Sequence, residues 1–472
     1  MSLPEKFQAP GVLPDAVIRD PNANAYLFGI DLTTDLDAAG VQQWLTGLTQ
    51  LVGILQQPDA GGVRRATAVV AFGPSFFGPA NQPRFGISPG AVPAGFVSPP
   101  PLDALNALPS AAADVLIYVM STSEATVAAF ELGLSSSRGT GLLSVAVECG
   151  IQRQDHREPF GFLDGLRNPK GADRTSVVFI DRDLSPEEAF WVEGGSYLVY
   201  MKITQNIAAM AALPQSQQES IIGRRKTDGS RIDLPAGTPI AQEGAFADDT
   251  CPVNAHIRKT GPRGPLHDET RIFRRGVPFT TINTDGSVDA GLQFVSFQGS
   301  LAAFAVIFER WMTNINFPVS GTGADTLQAQ SLITIDKAGT FFVPPADSRY
   351  IGAGVFDPVP TDPCTLGSIV VQKQLVDTNG QPVLSELGGI AFQILDSNTR
   401  QPIGPVFMTD STGRAVSPDV PRGAPLVVHE VAPPTGFQQA ADVPLTLASC
   451  RQLITITNSE VPGPNPGPNY SA

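Results

Sequence analysis

The stretch EPFGFLDGLRNP, residues 158–169, sets Asp164 between Gly161 and Gly165 in an apolar run bounded by prolines. A carboxylate presented by a glycine-rich turn in apolar surroundings can hold or move a proton. The plainer reading is that Asp-Gly opens a turn and does nothing more. The chain has four histidines, His156, His256, His267 and His429. A metal site built from several imidazoles is therefore hard to assemble, whereas a cofactor that takes one axial imidazole is not. His256 stands in CPVNAHIRKTGPRG (251–264), just before Arg258 and Lys259. Ten of the 31 Lys and Arg residues fall between Gly223 and Gly276, in a chain of net charge −14. Clustered cations in an acidic protein point either to a local anionic ligand or to ion pairs with Asp233, Glu243, Asp268 and Glu269.

The elements that must position these residues follow from periodicity. Residues 25–32 read as a strand, and Val41, Trp44, Leu45, Leu48, Leu51, Val52 and Leu55 recur at helical spacing. Strands at 67–73, 114–120 and 142–148, with a short helix from Glu124, complete a first unit. Ser185-Pro186-Glu187-Glu188 reads as a helix start stopped by Gly194-Gly195. Then come a strand at 196–203, a helix at 214–222, a strand at 292–298 and a helix at 301–313 with Phe304, Phe308 and Trp311 on one stripe. Two mixed units, 1–155 and 156–345, give an α+β class of antiparallel sheets covered by helices. A proline-rich linker follows at 346–366. Residues 367–460 read as a small β-sandwich, and 461–472, rich in Pro and Gly, as a disordered tail.

At 472 residues several cores are expected. No run of about 18 apolar residues is present, so no membrane span is expected. The negative net charge disfavours nucleic acid as a partner. No export signal is read at the N-terminus, which favours the cytoplasm. Cys364 and Cys450 lie near the two ends of the C-terminal segment, placed to pair if exported and to stay as thiols if not.

In order, Gly-Phe-x-Asp-Gly, Ala-His-Ile-Arg-Lys, Ile-x-Arg-x-Gly-x-Pro-Phe (272–279) and Leu-x-Phe-x-x-Phe-Gln (292–298) resemble the dye-decolourising peroxidases, a family of haem enzymes. The resemblance covers residues 20–320 and implies two ferredoxin-like units, with haem b held in the second. It implies His256 as the proximal iron ligand, Asp164 as the distal carboxylate, Arg274 as the distal arginine, and Leu292 and Phe294 as the apolar distal wall. Arg258, then Arg224 or Arg225, are the expected partners of the haem propionates, and Glu309 a candidate acceptor for the second imidazole nitrogen. The implied activity is reduction of hydrogen peroxide with oxidation of dyes, phenolics or another organic reductant. The alternatives are a haem carrier, which needs no distal pair, and a scaffold or adhesive protein. Homo-oligomerisation is left open.

The C-terminal segments VVQKQLVDTNGQPV (370–383), HEVAPPTGF (429–437) and LITITNSE (453–460) resemble the SpaA-like B repeats of surface adhesins and pilins. That family's sandwich is of transthyretin or immunoglobulin type, and it joins a first-strand lysine to a last-strand asparagine beside a buried acid. Lys373, Asn458 and Glu430 are the matching residues, and an ordinary uncrosslinked sandwich is the alternative. The adhesin likeness points outside the cell, against the reading of the N-terminus, and no partner for this module is evident.

Overall fold

The computed structural model describes residues 15–18, 24–79, 82–96, 113–136, 141–182, 185, 188–246, 250–263, 270–356, 366–378, 382–383, 387–410, 413–447 and 451–461. They form two compact units, Met1–Asp181 with Ala189–Val359, and Arg182–Glu188 with Pro360–Ala472. Cys364, Cys450 and the tail from 462 lie outside the described residues.

The first unit is organised by one nine-stranded sheet: β1 (Asn24–Leu32), β2 (Ala66–Phe72), β3 (Val115–Ser121), β4 (Leu142–Gly150), β5 (Ser196–Gln205), β6 (Phe273–Arg274), β7 (Val277–Ile282), β8 (Val288–Gln298) and β9 (Ile333–Val343). The order is β4-β1-β3-β2-β9-β5-β8-β6, with β7 also on β8. Each half repeats one pattern, in which its fourth, first, third and second strands lie side by side, β6 and β7 together taking the second place in the second half. This is the ferredoxin-like arrangement, antiparallel throughout. The two halves share the sheet, joined where Phe72 of β2 pairs with Phe342 of β9.

Burial explains why β3 is apolar at nearly every position. Val115, Ile117 and Val119 face a cluster built on the helix Ala38–Leu55, while Leu116, Tyr118 and Met120 join Leu198, Val295 and Phe297 from the second half. That helix opens on Asp37, whose side chain accepts from Gly40 N, and buries Val41, Trp44, Leu45, Leu48, Val52 and Leu55. The helix expected after Ser185 is not found in the described residues there, where a single tight turn spans Phe190–Val192. The helix from Leu301 buries Phe304, Phe308 and Trp311 as expected, but its second part, Val306–Met312, winds as a π-helix. Such a turn re-aims side chains and recurs at functional sites. Among the described residues no helix is long and apolar enough to cross a membrane.

The second unit has two sheets. In one, β10 (Leu366–Val376) is flanked by β11 (Pro382–Val383), β14 (Arg414–Val416), β15 (Val420–Pro421) and β18 (Arg451–Ser459); the other has the order β13 (Pro402–Met408), β12 (Ala391–Asp396), β16 (Pro425–Glu430), β17 (Val443–Thr446). Ile369, Val371 and Ile456 of the first sheet meet Phe392, Ile394, Leu426 and Val428 of the second in one core. First and last strands, β10 and β18, run parallel, with Leu375 opposite Asn458.

Candidate functional site

Asp164 is placed by a loop that a second carboxylate holds shut. Glu158 accepts from Phe160 N and Phe162 N, each at 2.9 Å, and from Gln205 Nε2 at 2.8 Å. Burial pushes the Glu158 carboxyl above the usual range, against those hydrogen bonds. Gly161 and Gly165 sit at φ 92° and 74°, in the left-handed region. Their backbone conformation is therefore reason enough for glycine. Asp164 N donates to His156 O at 3.0 Å, and Asp164 Oδ1 lies 3.0 Å from Arg274 Nη1. Carboxylate and guanidinium, 110 residues apart in the chain, thus form one ion pair.

His256 opens the short helix His256–Thr260. Its Nδ1 is 2.7 Å from Oδ2 of Asp325, a side chain with no solvent exposure that also accepts from Leu327 N. Burial alone would favour the neutral imidazole, but the Asp325 carboxylate outweighs it and raises the His256 pKa. With Nδ1 engaged, Nε2 is the atom left to ligate a metal. Asn254 O accepts from both Thr326 N and Thr326 Oγ1, tying the histidine's loop to the segment that carries Asp325. The acceptor is therefore Asp325, and the expectation for Glu309 is corrected. Asp325 is legible only as an N-cap before the turn Thr326–Ala329, 69 residues from the histidine it holds.

Asp164, Arg274 and His256 line one cavity of about 270 Å³, walled by Leu292 and Phe294 and by Phe304, Ile307, Phe308 and Met312 of the π-wound helix. Of the proposed anion partners, Arg224 lines this cavity, but its guanidinium is already bonded to Glu243 at 2.5 and 3.0 Å. Arg225 and Arg258 do not line it, which corrects that expectation. Arg225 donates to the carbonyls of Arg231 and Ile232, and Arg258 to that of Cys251, so both knit the loop together.

Three further cations line the cavity: Arg271, which pairs with Asp173, and Arg167 and Arg263, which share Glu243 at 3.7 and 3.2 Å. Glu243 is wholly buried; burial opposes its charge, yet Arg224, then Arg263 and Arg167, hold it below the usual carboxylate range. Burial, and next the neighbouring Arg167, push Arg263 down to about 10. Among the described residues Arg263 Nε is buried without a hydrogen-bond partner, and its backbone sits at φ 73°. A buried guanidinium donor with no acceptor among those residues suits an anion.

One imidazole nitrogen, an apolar slab, an acid–arginine pair and surplus guanidinium charge fit a planar metal macrocycle that carries carboxylates. No cluster of three or more metal-ligating side chains occurs among the described residues, so the single imidazole is the donor available. The fold and site together define a two-unit ferredoxin-like protein with a cavity suited to such a ligand.

Residues 155–348 match the family model described as "Dyp-type peroxidase, C-terminal". The chain is 28% identical over 225 residues to peroxidase 2 of Mycetinis scorodonius, covering 35% of this chain and 43% of the relative. It is 30% identical over 216 residues to a dye-decolorizing peroxidase of Rhodococcus erythropolis, covering 45% of this chain and 54% of the relative. The chain thus spans about half the length of these relatives. A Rhodococcus jostii DypB variant solved in complex with heme shares the fold at a TM-score of 0.56 and 21% identity, over 71% of this chain and 96% of that one. The family these findings support is the Dyp-type peroxidases.

Proposed function

We propose that the protein is a haem-dependent peroxidase that reduces hydrogen peroxide and oxidises dyes, phenolics or similar reductants. The observation that carries this reading is the Asp164–Arg274 ion pair in the same cavity as the Asp325-held His256. Bound there, haem supplies the iron that receives peroxide and the redox capacity to oxidise a second molecule. His256 Nε2 would hold that iron, with its ring fixed through Nδ1 by Asp325. Asp164 accepts a proton from one peroxide oxygen and returns it to the other, so the departing oxygen leaves as water. Arg274 stabilises negative charge on that oxygen as the bond lengthens. A carrier needs neither of these two residues, and this favours the enzyme.

The protein purified from haem-supplemented cells should show a Soret band that shifts on adding peroxide. His256→Ala should lose the iron's axial nitrogen and most of the bound pigment. Asp325→Asn should weaken haem retention by about 10–100-fold. An unaltered Soret band and axial coordination in His256→Ala would refute the assignment.

We propose Arg263 and Arg167, in place of Arg258 and Arg225, as the seat of the haem carboxylates. Arg263→Met should weaken haem binding by about 10–100-fold, the loss of one charge-assisted hydrogen bond. The same substitution should barely change the affinity for haem dimethyl ester. Equal losses for acid and ester would remove Arg263 from this role.

For the second unit we propose a SpaA-like sandwich of transthyretin or immunoglobulin type with a Lys373–Asn458 isopeptide bond. Lys373 Nζ is 2.7 Å from Glu430 Oε1, and Asn458 Nδ2 donates to Glu430 Oε2 at 2.8 Å. All three side chains are buried.

A further inference from the structure

Strand β6 is the last of the nine-stranded sheet, so the main chain at Arg274 lies on an edge. Arg275 N donates inward to Val295 O of β8 at 2.7 Å, and the alternation of an antiparallel strand then turns the N–H and C=O of Arg274 outward. An edge left like this has no strand to complete it. Here one side chain takes both groups. Arg274 N donates to Asn168 Oδ1 at 3.1 Å, and Asn168 Nδ2 donates to Arg274 O at 2.8 Å. A carboxamide, with acceptor and donor side by side, substitutes for the missing strand. Asn168 N also donates to Gly165 O at 3.1 Å, closing the turn that follows Asp164. The loop that carries Asp164 therefore grips the backbone of the residue whose guanidinium Asp164 pairs with.

We infer that Asn168 is a positioning residue: its carboxamide splints the sheet edge at Arg274 to the Asp164 loop, and so sets the geometry of the proton-handling pair. The structural part of this inference needs no cofactor; the kinetic part rests on the peroxidase reading above. Asn168 also lines a small cavity of about 60 Å³ whose ionisable groups are His156, Arg157, Glu158, Asp164 and Arg274. The side chain is thus set beside the ion pair, on the wall of a small recess.

Amide exchange at Arg274 in the haem-free protein tests the splint directly. Asn168→Ala should speed it at least tenfold, while unchanged exchange overturns the inference. In the haem-loaded protein, Asn168→Ala should lower the second-order rate with hydrogen peroxide by about 10–100-fold, with haem affinity retained. Faster exchange with an unchanged peroxide rate overturns the positioning role. Asn168→Asp provides the variant that a general loss of folding does not mimic. A protonated carboxyl offers the same acceptor and donor, so its rate relative to the parent protein should rise toward one as the pH falls through about 4. The ratio should fall toward that of Asn168→Ala by about pH 7, where the donor is gone. A ratio flat with pH overturns the inference. If the parent protein itself does not react with peroxide, the functional reading fails and exchange at Arg274 still decides the splint.

Discussion

Asp164→Ala should slow reaction with hydrogen peroxide by about 10²–10⁴-fold, the range lost when a positioned proton carrier is removed. Haem should stay bound, because His256, Asp325 and the apolar walls are untouched. Stopped-flow measurement of the Soret change against peroxide concentration gives the second-order rate, and the unreacted spectrum gives the haem content. Arg274→Leu should cost about 10²–10³-fold in the same measurement, since it removes a donor aimed at developing negative charge. The two residues contact each other, at 3.0 Å, so their losses should not add. The double variant should be little slower than the worse single one. A rate within twofold of the parent for Asp164→Ala would sink the proposed acid–base role. Additive losses would mean that the two side chains act apart, against the ion pair.

Asp164, His256, Arg274, Leu292 and Phe294 were legible in the sequence because each sits in a short local motif, and all five line one cavity. Their supports were not. Asp325 holds His256 across 69 residues, and Asn168 meets Arg274 across 106. Such contacts are created by folding and leave no spacing to read. Charge clustering and the family resemblance pointed to Arg258, then Arg224 or Arg225; Arg258 and Arg225 fasten their own loop, and Arg224 pairs with Glu243.

The fold shows the same division. Strands β1, β2, β3, β5 and β8 announced themselves as apolar runs because both faces or one whole face is buried. Strand β9, ITIDKAGTFFV, passed unnoticed, although it lies between β2 and β5 in the sheet. Asp336, Lys337 and Gly339 interrupt its alternation. Their partners come from elsewhere: Asp336 Oδ2 accepts from Thr204 Oγ1 at 2.5 Å, and Lys337 reaches Glu148 on β4. A strand whose polar residues are satisfied by tertiary neighbours looks like a loop until those neighbours are in place.

The intact mass of the purified chain should fall short of its sequence mass by about 17 Da, one ammonia, if the proposed crosslink forms. Burial pushes the Lys373 ammonium toward the neutral amine, against the pull of Glu430 beside it. In the proposed step the neutral nitrogen would attack Cγ of Asn458; the new C–N bond would replace the amide's C–NH₂ bond, and ammonia would carry away the nitrogen released. Glu430, touching both groups, can relay the proton from amine to leaving group, and no oxidant is required. Asn458 Oδ1 has no hydrogen-bond donor among the described residues, as suits a carbonyl open to polarisation. Strands β10 and β18 run side by side with Leu375 opposite Asn458, two positions from Lys373, so both residues lie on one face of adjacent strands. By restricting the unfolded chain it should add about 4 kcal/mol. Glu430→Ala should restore the full sequence mass and lower the melting temperature of this unit, by about 4–8 °C for each kcal/mol lost. Lys373→Ala and Asn458→Ala should restore the mass as well. A parent mass equal to the sequence mass would leave the three residues as a buried ion pair, and removing Lys373 would then cost about 3–5 kcal/mol through the charge stranded on Glu430.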